Sequence, residues 1–199
     1  MGFFKQLKQK RKYRKWLADG RPDPPPPLAK QEMLRDYAKS YGLDVFVETG
    51  TFLGDTVEAL RREFRVVHSI ELSRKFYELS RRRLEGAPNV ELHLGDSGKV
   101  LHEIVPQIDG PALFWLDGHY SGGETAKGDS NCPVRAELEA IFAGMKHPFV
   151  VMIDDARCFR NPEASDYPSI EEIEGMVAEK KPDMKVEVAM DCIRIVPKR

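Results

Sequence analysis

The segment VETGTFLGDT, residues 47 to 56, combines acids, glycines and threonines in a spacing that suits a ligand-binding turn. Glu48, Gly50 and Gly54 form the pattern acid-x-Gly-x-x-x-Gly. A dinucleotide fingerprint would place glycines two and five positions after Gly50, where the chain has phenylalanine and aspartate. Glycine lets the backbone approach a ligand closely, and the N-terminus of a following helix favours a carboxylate. The segment therefore predicts a binding turn that is not of the NAD type.

Acidic residues also occur at the ends of the strand-like segments. Glu71 lies 21 residues after Gly50, where an acid can accept hydrogen bonds from both hydroxyls of a ribose. Each acid alone has a structural explanation, because aspartate at such a turn caps the next helix. Ligands of open α/β sheets bind at the carboxyl ends of the strands, so the series favours a site. The acids are Glu48, Glu71, Asp96, Asp117, Asp154 and Asp155.

Short β-rich segments alternate with helical patterns from residue 44 onward. This alternation predicts a parallel sheet with helices on both faces. The last helix opens with Ser169 and Glu172 in a capping box. The five predicted parallel strands are DVFVET (44–49), VVHSIEL (66–72), VELHLGD (90–96), ALFWLDG (112–118) and FVVMIDD (149–155).

Two more strand-like segments end the chain. MKVEVAM and CIRIVPK are separated only by Asp191. This connection is too short for a helical crossover, so the two segments are predicted to pair as an antiparallel hairpin. The sequence thus predicts seven strands with the last one reversed.

The N-terminus differs in charge from the rest. Residues 1–17 carry seven Lys or Arg and no acid, so a net charge of −1 leaves the other 182 residues at −8. The overall charge gives no argument for a nucleic-acid partner. Basic and aromatic residues of the arm could contact a membrane surface weakly, or form a helix docked on the body. Five prolines within 22–27 predict a stiff spacer. We predict an arm (1–20), a linker (21–28) and one domain (29–199).

The cysteines indicate a reducing compartment. Cys132, Cys158 and Cys192 are odd in number and have no C-x-x-C spacing, so neither a disulfide framework nor a zinc knuckle is expected. The sequence contains no apolar run near the ~20 residues that span a bilayer. We therefore expect a cytoplasmic protein, whose basic arm could place it at a membrane surface. No pattern indicates the oligomeric state.

Five motifs together carry a family resemblance. In order and spacing, ETGTFLGDT, SIELS, GDS, WLDGHYS and IDDA resemble the class I S-adenosylmethionine-dependent methyltransferases over about residues 44–197. The similarity is greatest to metal-dependent small-molecule O-methyltransferases, the catechol and macrocin-like groups. The resemblance implies a Rossmann-like, doubly wound α/β fold with a seven-stranded mixed sheet, strand 7 antiparallel, here preceded by the basic helical arm.

The resemblance assigns roles around the cofactor. Glu48, Gly50 and Gly54 would surround the methionine part of S-adenosylmethionine, and Glu71 would hold the ribose hydroxyls. Phe52 departs from the pattern, because many members have glycine there. The full set of implied cofactor residues is Glu48, Thr49, Gly50, Thr51, Phe52, Gly54, Asp55, Thr56, Glu71, Leu72, Ser73, Asp96, Ser97 and Asp117, with Asp96 and Ser97 flanking the adenine.

The resemblance also implies a divalent cation, usually Mg²⁺, held by Asp117, Asp154 and Asp155. Carboxylate oxygens suit this ion, which would lower the pKa of an acceptor hydroxyl. Asp117 could instead contact the cofactor, as in metal-free relatives. His119 and Tyr120 follow Asp117 closely and, with it, are the candidate catalytic residues. The other histidines, His68, His93, His102 and His147, show no ligand-like spacing.

The sequence thus predicts methyl transfer to a hydroxyl of a small molecule or sugar. Two alternatives stay open. An α/β metal hydrolase would use Asp117, His119, Asp154 and Asp155 around a cation, but it leaves Gly50 and its neighbours unexplained. A non-catalytic adenosyl-ligand sensor or membrane-recruited scaffold would instead rely on the basic arm.

Overall fold

The computed structural model describes residues 3–118, 132–160 and 166–198, with side chains from residue 7 onward. His119 and Tyr120 lie outside the described residues. The helices are α1 (Phe3–Ala18), α2 (Pro27–Tyr41), α3 (Asp55–Leu60), α4 (Arg74–Arg83), α5 (Ser97–Ile104), α6 (Val134–Gly144) and α7 (Ile170–Lys180). The strands are β1 (Val45–Thr49), β2 (Val66–Glu71), β3 (Val90–Leu94), β4 (Ala112–Leu116), β5 (Phe149–Ile153), β6 (Met184–Ala189) and β7 (Cys192–Pro197).

The seven strands form one sheet in the order β3-β2-β1-β4-β5-β7-β6. The first five strands are parallel, whereas β7 is antiparallel to both β5 and β6. The predicted sheet and its reversed last strand are therefore confirmed. The order changes direction between β1 and β4, so the carboxyl ends of these two strands flank the crevice where such sheets bind ligands.

Alternating side chains divide the hydrophobic core into two layers. One face of the sheet packs against α5, α6 and α7 through residues such as Leu101, Leu138 and Ile173. The other face packs against α2 and α3 through residues such as Leu34 and Val57. Strands buried on both faces explain the continuous apolar runs in the sequence. The rigid sheet positions the acids that follow each strand.

The basic arm is a helix that ends against the linker. Trp16 is buried, and its Nε1 donates a hydrogen bond to the carbonyl oxygen of Pro22 at 2.7 Å. Pro25 is also buried, and Pro27 already begins α2, because proline is tolerated at the first helical position. The proline-rich segment therefore packs on the domain in addition to joining two helices. Membrane-surface contact by residues 1–17 stays a prediction, and none of the described helices is long and apolar enough to cross a bilayer.

Candidate active site

The turn after β1 brings two strand ends into close contact. Gly50 has φ +83°, and a Cβ atom built there would lie 2.5 Å from the carbonyl oxygen of Asp117. The amide of Asp117 donates in turn to the carbonyl oxygen of Thr49 at 3.2 Å. Only glycine combines this positive φ with so near a neighbouring backbone. Thr49 Oγ1 is a buried polar atom at the crevice, and it has no hydrogen-bond partner among the described residues.

Glu71 anchors the same turn from β2. Its two carboxylate oxygens accept hydrogen bonds from the amides of Phe52, at 2.7 Å, and Ser73, at 2.8 Å. Each oxygen retains a further acceptor site for a ligand hydroxyl. Phe52 itself has φ +47° and an exposed ring that packs 4.5 Å from the ring of Phe76, centroid to centroid. The bulky residue thus lies at the mouth of the turn, and its backbone amide orients Glu71.

Glu48 is a buried acid behind the turn. Ser69 Oγ donates to its carboxylate at 2.7 Å and lies 2.6 Å from Thr51 Oγ1. Burial raises the pKa of Glu48 to about 8, the hydrogen bonds from Ser69 and Thr56 act in the opposite direction, and the charge of Glu71 adds to the rise. The group is therefore largely protonated at neutral pH.

This raised pKa makes the stability of the protein depend on pH through Glu48. Below about pH 4.5 the carboxyl is protonated in both folded and unfolded chains, and between 4.5 and about 8 only the unfolded chain loses the proton. Wild-type stability should therefore fall with rising pH across that window, whereas Glu48→Gln lacks the effect. In urea unfolding, the free energy of unfolding of Glu48→Gln relative to that of wild type should rise by at least about 1 kcal/mol from pH 5 to pH 8. Glu139→Gln, on the exposed side of α6, is the control, and a constant offset for Glu48→Gln would contradict the prediction.

The other predicted cofactor residues begin the three helices nearest the turn. Gly54, with φ +69°, precedes α3, and Asp55 pairs there with Arg83 at 2.7 Å. Asp96 caps α5 by accepting from the amide of Gly98 at 2.9 Å. The remaining members lie in the same turns or first helical residues: Thr56, Leu72, Ser73 and Ser97.

The acids after β4 and β5 form a second group, which a lysine joins. The amide of Asp154 donates to the carbonyl oxygen of Leu116 at 3.1 Å, which holds the two strand ends together. Lys30, from α2, donates from Nζ to Asp154 Oδ2, and the same Nζ lies 3.5 Å from Asp155 Oδ1. Sequence reasoning missed Lys30, because nothing in the spacing of α2 relates it to residues more than 120 positions away.

Electrostatics accounts for this grouping. Burial alone would lower the pKa of Lys30, but the neighbouring aspartates outweigh burial and the pKa is raised. Burial raises the pKa of Asp154 in spite of the ammonium beside it. Asp155 also accepts from Arg157 Nη1 at 2.9 Å, and this guanidinium bonds to the buried Asp191 as well. Arg157 is thus a structural partner of the acids at this strand end.

This arrangement does not match the implied magnesium site. Mg²⁺ requires several oxygen ligands gathered around one point. Within the described ranges, the three donors that approach within 4.8 Å of one another belong to His68, Glu91 and His93, and the three aspartates do not form such a group. The Lys30 ammonium supplies the positive charge between Asp154 and Asp155 instead. Magnesium binding by the aspartates is therefore not confirmed.

Solved structures with the same fold include methyltransferases. The O-methyltransferase TomG from Streptomyces achromogenes, in complex with SAM, has a TM-score of 0.61 at 17% identity over 96% of this chain and 89% of its own. An O-methyltransferase from Bacillus cereus, in complex with SAH, gives 0.64 at 17% identity over 96% and 91%. An rRNA methylase from Streptococcus thermophilus gives 0.54 at 14% identity over 84% and 96%.

Comparison of the sequence with protein families and curated proteins identifies no relative. No family model matches the chain, and no curated protein matches it. Likeness at 14–17% identity shows the fold alone, and the neighbours with this fold include both O-methyltransferases and an rRNA methylase. The chain has the fold of the S-adenosylmethionine-dependent methyltransferases, with a sheet of the same kind and a glycine turn at its crevice.

Proposed function

We propose that this chain is an S-adenosylmethionine-dependent methyltransferase that methylates a hydroxyl group of a small molecule or sugar. The observation that carries the proposal is the Glu71 carboxylate, held by the amides of Phe52 and Ser73 beside the Gly50 turn. An acid at the end of the second strand, next to a glycine turn after the first, suits a ribose diol in sheets of this kind.

The crevice offers complementary groups for each part of the cofactor. Glu71 accepts from the ribose hydroxyls, and the turn at Gly50 admits the methionine part against the backbone. Asp96 and Ser97 follow β3, next to β2 in the sheet, where the adenine lies in our proposal. The amide of Gly95 donates to the carbonyl oxygen of Glu71 at 3.0 Å, which keeps these two strand ends adjacent.

The reaction is a displacement at carbon. The acceptor oxygen forms a bond to the methyl carbon while the carbon–sulfur bond breaks, and its electron pair stays on sulfur, giving S-adenosylhomocysteine. The acceptor hydroxyl loses its proton to a base, for which we propose His119, Tyr120 or Asp117. Alignment of oxygen, carbon and sulfur supplies much of the rate in such a step.

The sequence also predicts that Mg²⁺ assists the reaction, but no step of the reaction described above uses this ion. Asp154 and Asp155 are ion-paired with Lys30, so the positive charge next to the crevice already belongs to the chain. Methyl transfer in the presence of EDTA decides this part separately. Unchanged activity removes the metal while leaving the methyltransferase proposal in place.

We infer the kind of acceptor from the net charge of the chain. Residues 18–199 sum to −8, which disfavours the phosphate backbone of a nucleic acid. The fold neighbours include O-methyltransferases, one of them from tomaymycin synthesis, and also an rRNA methylase. We therefore favour a small neutral or cationic hydroxyl compound, and a panel of sugars, phenols and RNA fragments tests that preference.

Calorimetry with S-adenosylhomocysteine tests cofactor binding directly. Wild type should bind, and Glu71→Gln should bind at least about tenfold more weakly, because two charge-assisted hydrogen bonds to the diol are lost. Glu78→Gln is the matched control, since Glu78 lies on α4 and pairs with the exposed Arg81.

Three results would count against the proposal. Absence of any adenosyl ligand binding to wild type at millimolar concentration would falsify it. Hydrolysis of phosphate or carboxylic esters that needs a divalent metal but no adenosyl cofactor would support the metal-hydrolase alternative. A scaffold would be favoured if deletion of residues 1–27 abolished binding of a partner protein and if neither the full chain nor the truncated chain transferred a methyl group.

A further inference from the structure

Two histidines and a glutamate meet on one side of the sheet, at the pair β2 and β3. His68 Nδ1 lies 3.2 Å from His93 Nε2 and 3.4 Å from Glu91 Oε2. The strand register places His68 opposite Glu91, with His93 two residues further along β3 on the same face. The three side chains therefore converge although they come from different strands.

The separations match those of ligands around one small metal ion. Ligand atoms about 2.1 Å from a tetrahedral zinc ion lie roughly 3.4 Å from one another. The two measured edges are 3.2 Å and 3.4 Å, and all three donors lie within 4.8 Å of one another. Two imidazoles and one carboxylate are also a ligand set that favours zinc over Mg²⁺ or Ca²⁺.

The surroundings favour a cation that enters from solvent. The His68 side chain is 14% exposed, whereas that of Glu91 is 60% exposed, so the cluster is open on the Glu91 side. Glu103 on α5 acts electrostatically on His93, which adds a second negative group near the imidazoles. The cluster is remote from the aspartates of the crevice, since β1 separates β2 and β3 from β4 and β5 in the sheet.

We propose that His68, Glu91 and His93 form a binding site for a divalent transition metal, with Zn²⁺ as the preferred ion and a water molecule as its fourth ligand. Because β3 is the edge strand and pairs with β2, the ion fastens the edge of the sheet to its neighbour. The site is independent of the proposed methyl transfer, since its ligands take no part in the crevice.

Zinc titration of the untagged full chain, without any cofactor, tests the site. Calorimetry should give one Zn²⁺ per chain, and the melting temperature should rise with added Zn²⁺ because the ion binds the folded chain. His68→Gln and His93→Gln should each weaken binding about tenfold or more, since a lost ligand costs at least as much as a lost outer-shell partner. Substituted Co²⁺ should show the intense visible bands of tetrahedral coordination.

Control variants keep the test decisive. Glu91→Gln changes an exposed side chain, so it should fold like wild type by far-UV circular dichroism and still bind zinc more weakly. His102→Gln, on the exposed side of α5, should bind as wild type does. The proposal would be overturned if Glu91→Gln and His93→Gln folded and bound zinc as tightly as wild type. It would also be overturned if His102→Gln lost as much zinc affinity as these two variants.

Discussion

Gly50→Ala should abolish binding of S-adenosylhomocysteine and lower the free energy of unfolding by about 3 kcal/mol or more. The added Cβ would lie 2.5 Å from the carbonyl oxygen of Asp117 and 2.9 Å from its carbonyl carbon. Both are backbone atoms held by the pairing of β1 with β4, so no side chain can move aside to relieve the contact. The turn must shift, and the proposed cofactor position moves with it. Calorimetry and urea unfolding measure the two effects.

Gly86→Ala separates this contact from simple backbone strain. Gly86 has φ +79°, close to the +83° of Gly50, but no heavy atom of the described residues lies within 4 Å of a Cβ atom built there. Its cost should therefore be about 1 kcal/mol, from the left-handed conformation alone, with ligand binding unchanged. Similar losses in the two variants would show that conformation rather than the Asp117 contact makes glycine necessary at position 50.

The order of elements and the glycine turn were predictable from sequence. Alternating apolar segments and helical patterns predict a parallel sheet, and the short connection between the last two strands permits only a hairpin. Gly50 and Glu71 could be related because both lie at strand ends, which a parallel sheet brings to one edge. These predictions depend on local patterns plus one general rule about sheets.

The partners of the acids were not predictable in the same way. Lys30 reaches Asp154 across 124 positions of sequence, and its contact depends on how α2 crosses the sheet. His68 and His93 show no ligand-like spacing in the sequence, and their approach in the structure depends on the register of β2 against β3. Strand register and helix placement are set by packing of the whole domain, and a single sequence carries no local signal for them.

Lys30→Met should lower the free energy of unfolding by about 3 kcal/mol, because it leaves the carboxylate of Asp154 buried without its counter-charge. The Lys30 side chain is 20% exposed and that of Asp154 only 4%, so water can replace little of the lost interaction. Lys15→Met removes an ion pair of similar chemistry, but Lys15 is 76% exposed and Asp19 46%, so its cost should be near zero. Urea unfolding of both variants at neutral pH measures the difference.

The Lys30→Met variant also shows which cation neutralises Asp154 and Asp155. Loss of Lys30 should raise the pKa of Asp154 further, so the variant should recover part of its lost stability as the pH falls and the carboxyl takes up a proton. Added Mg²⁺ should also stabilise Lys30→Met more than wild type, since Asp154 and Asp155 then lack the ammonium of Lys30. If EDTA instead destabilises wild type by as much as the substitution does, a divalent ion and not Lys30 neutralises Asp154 and Asp155. Wild-type stability that is indifferent to EDTA, together with rescue of the variant by Mg²⁺, assigns that charge to the lysine.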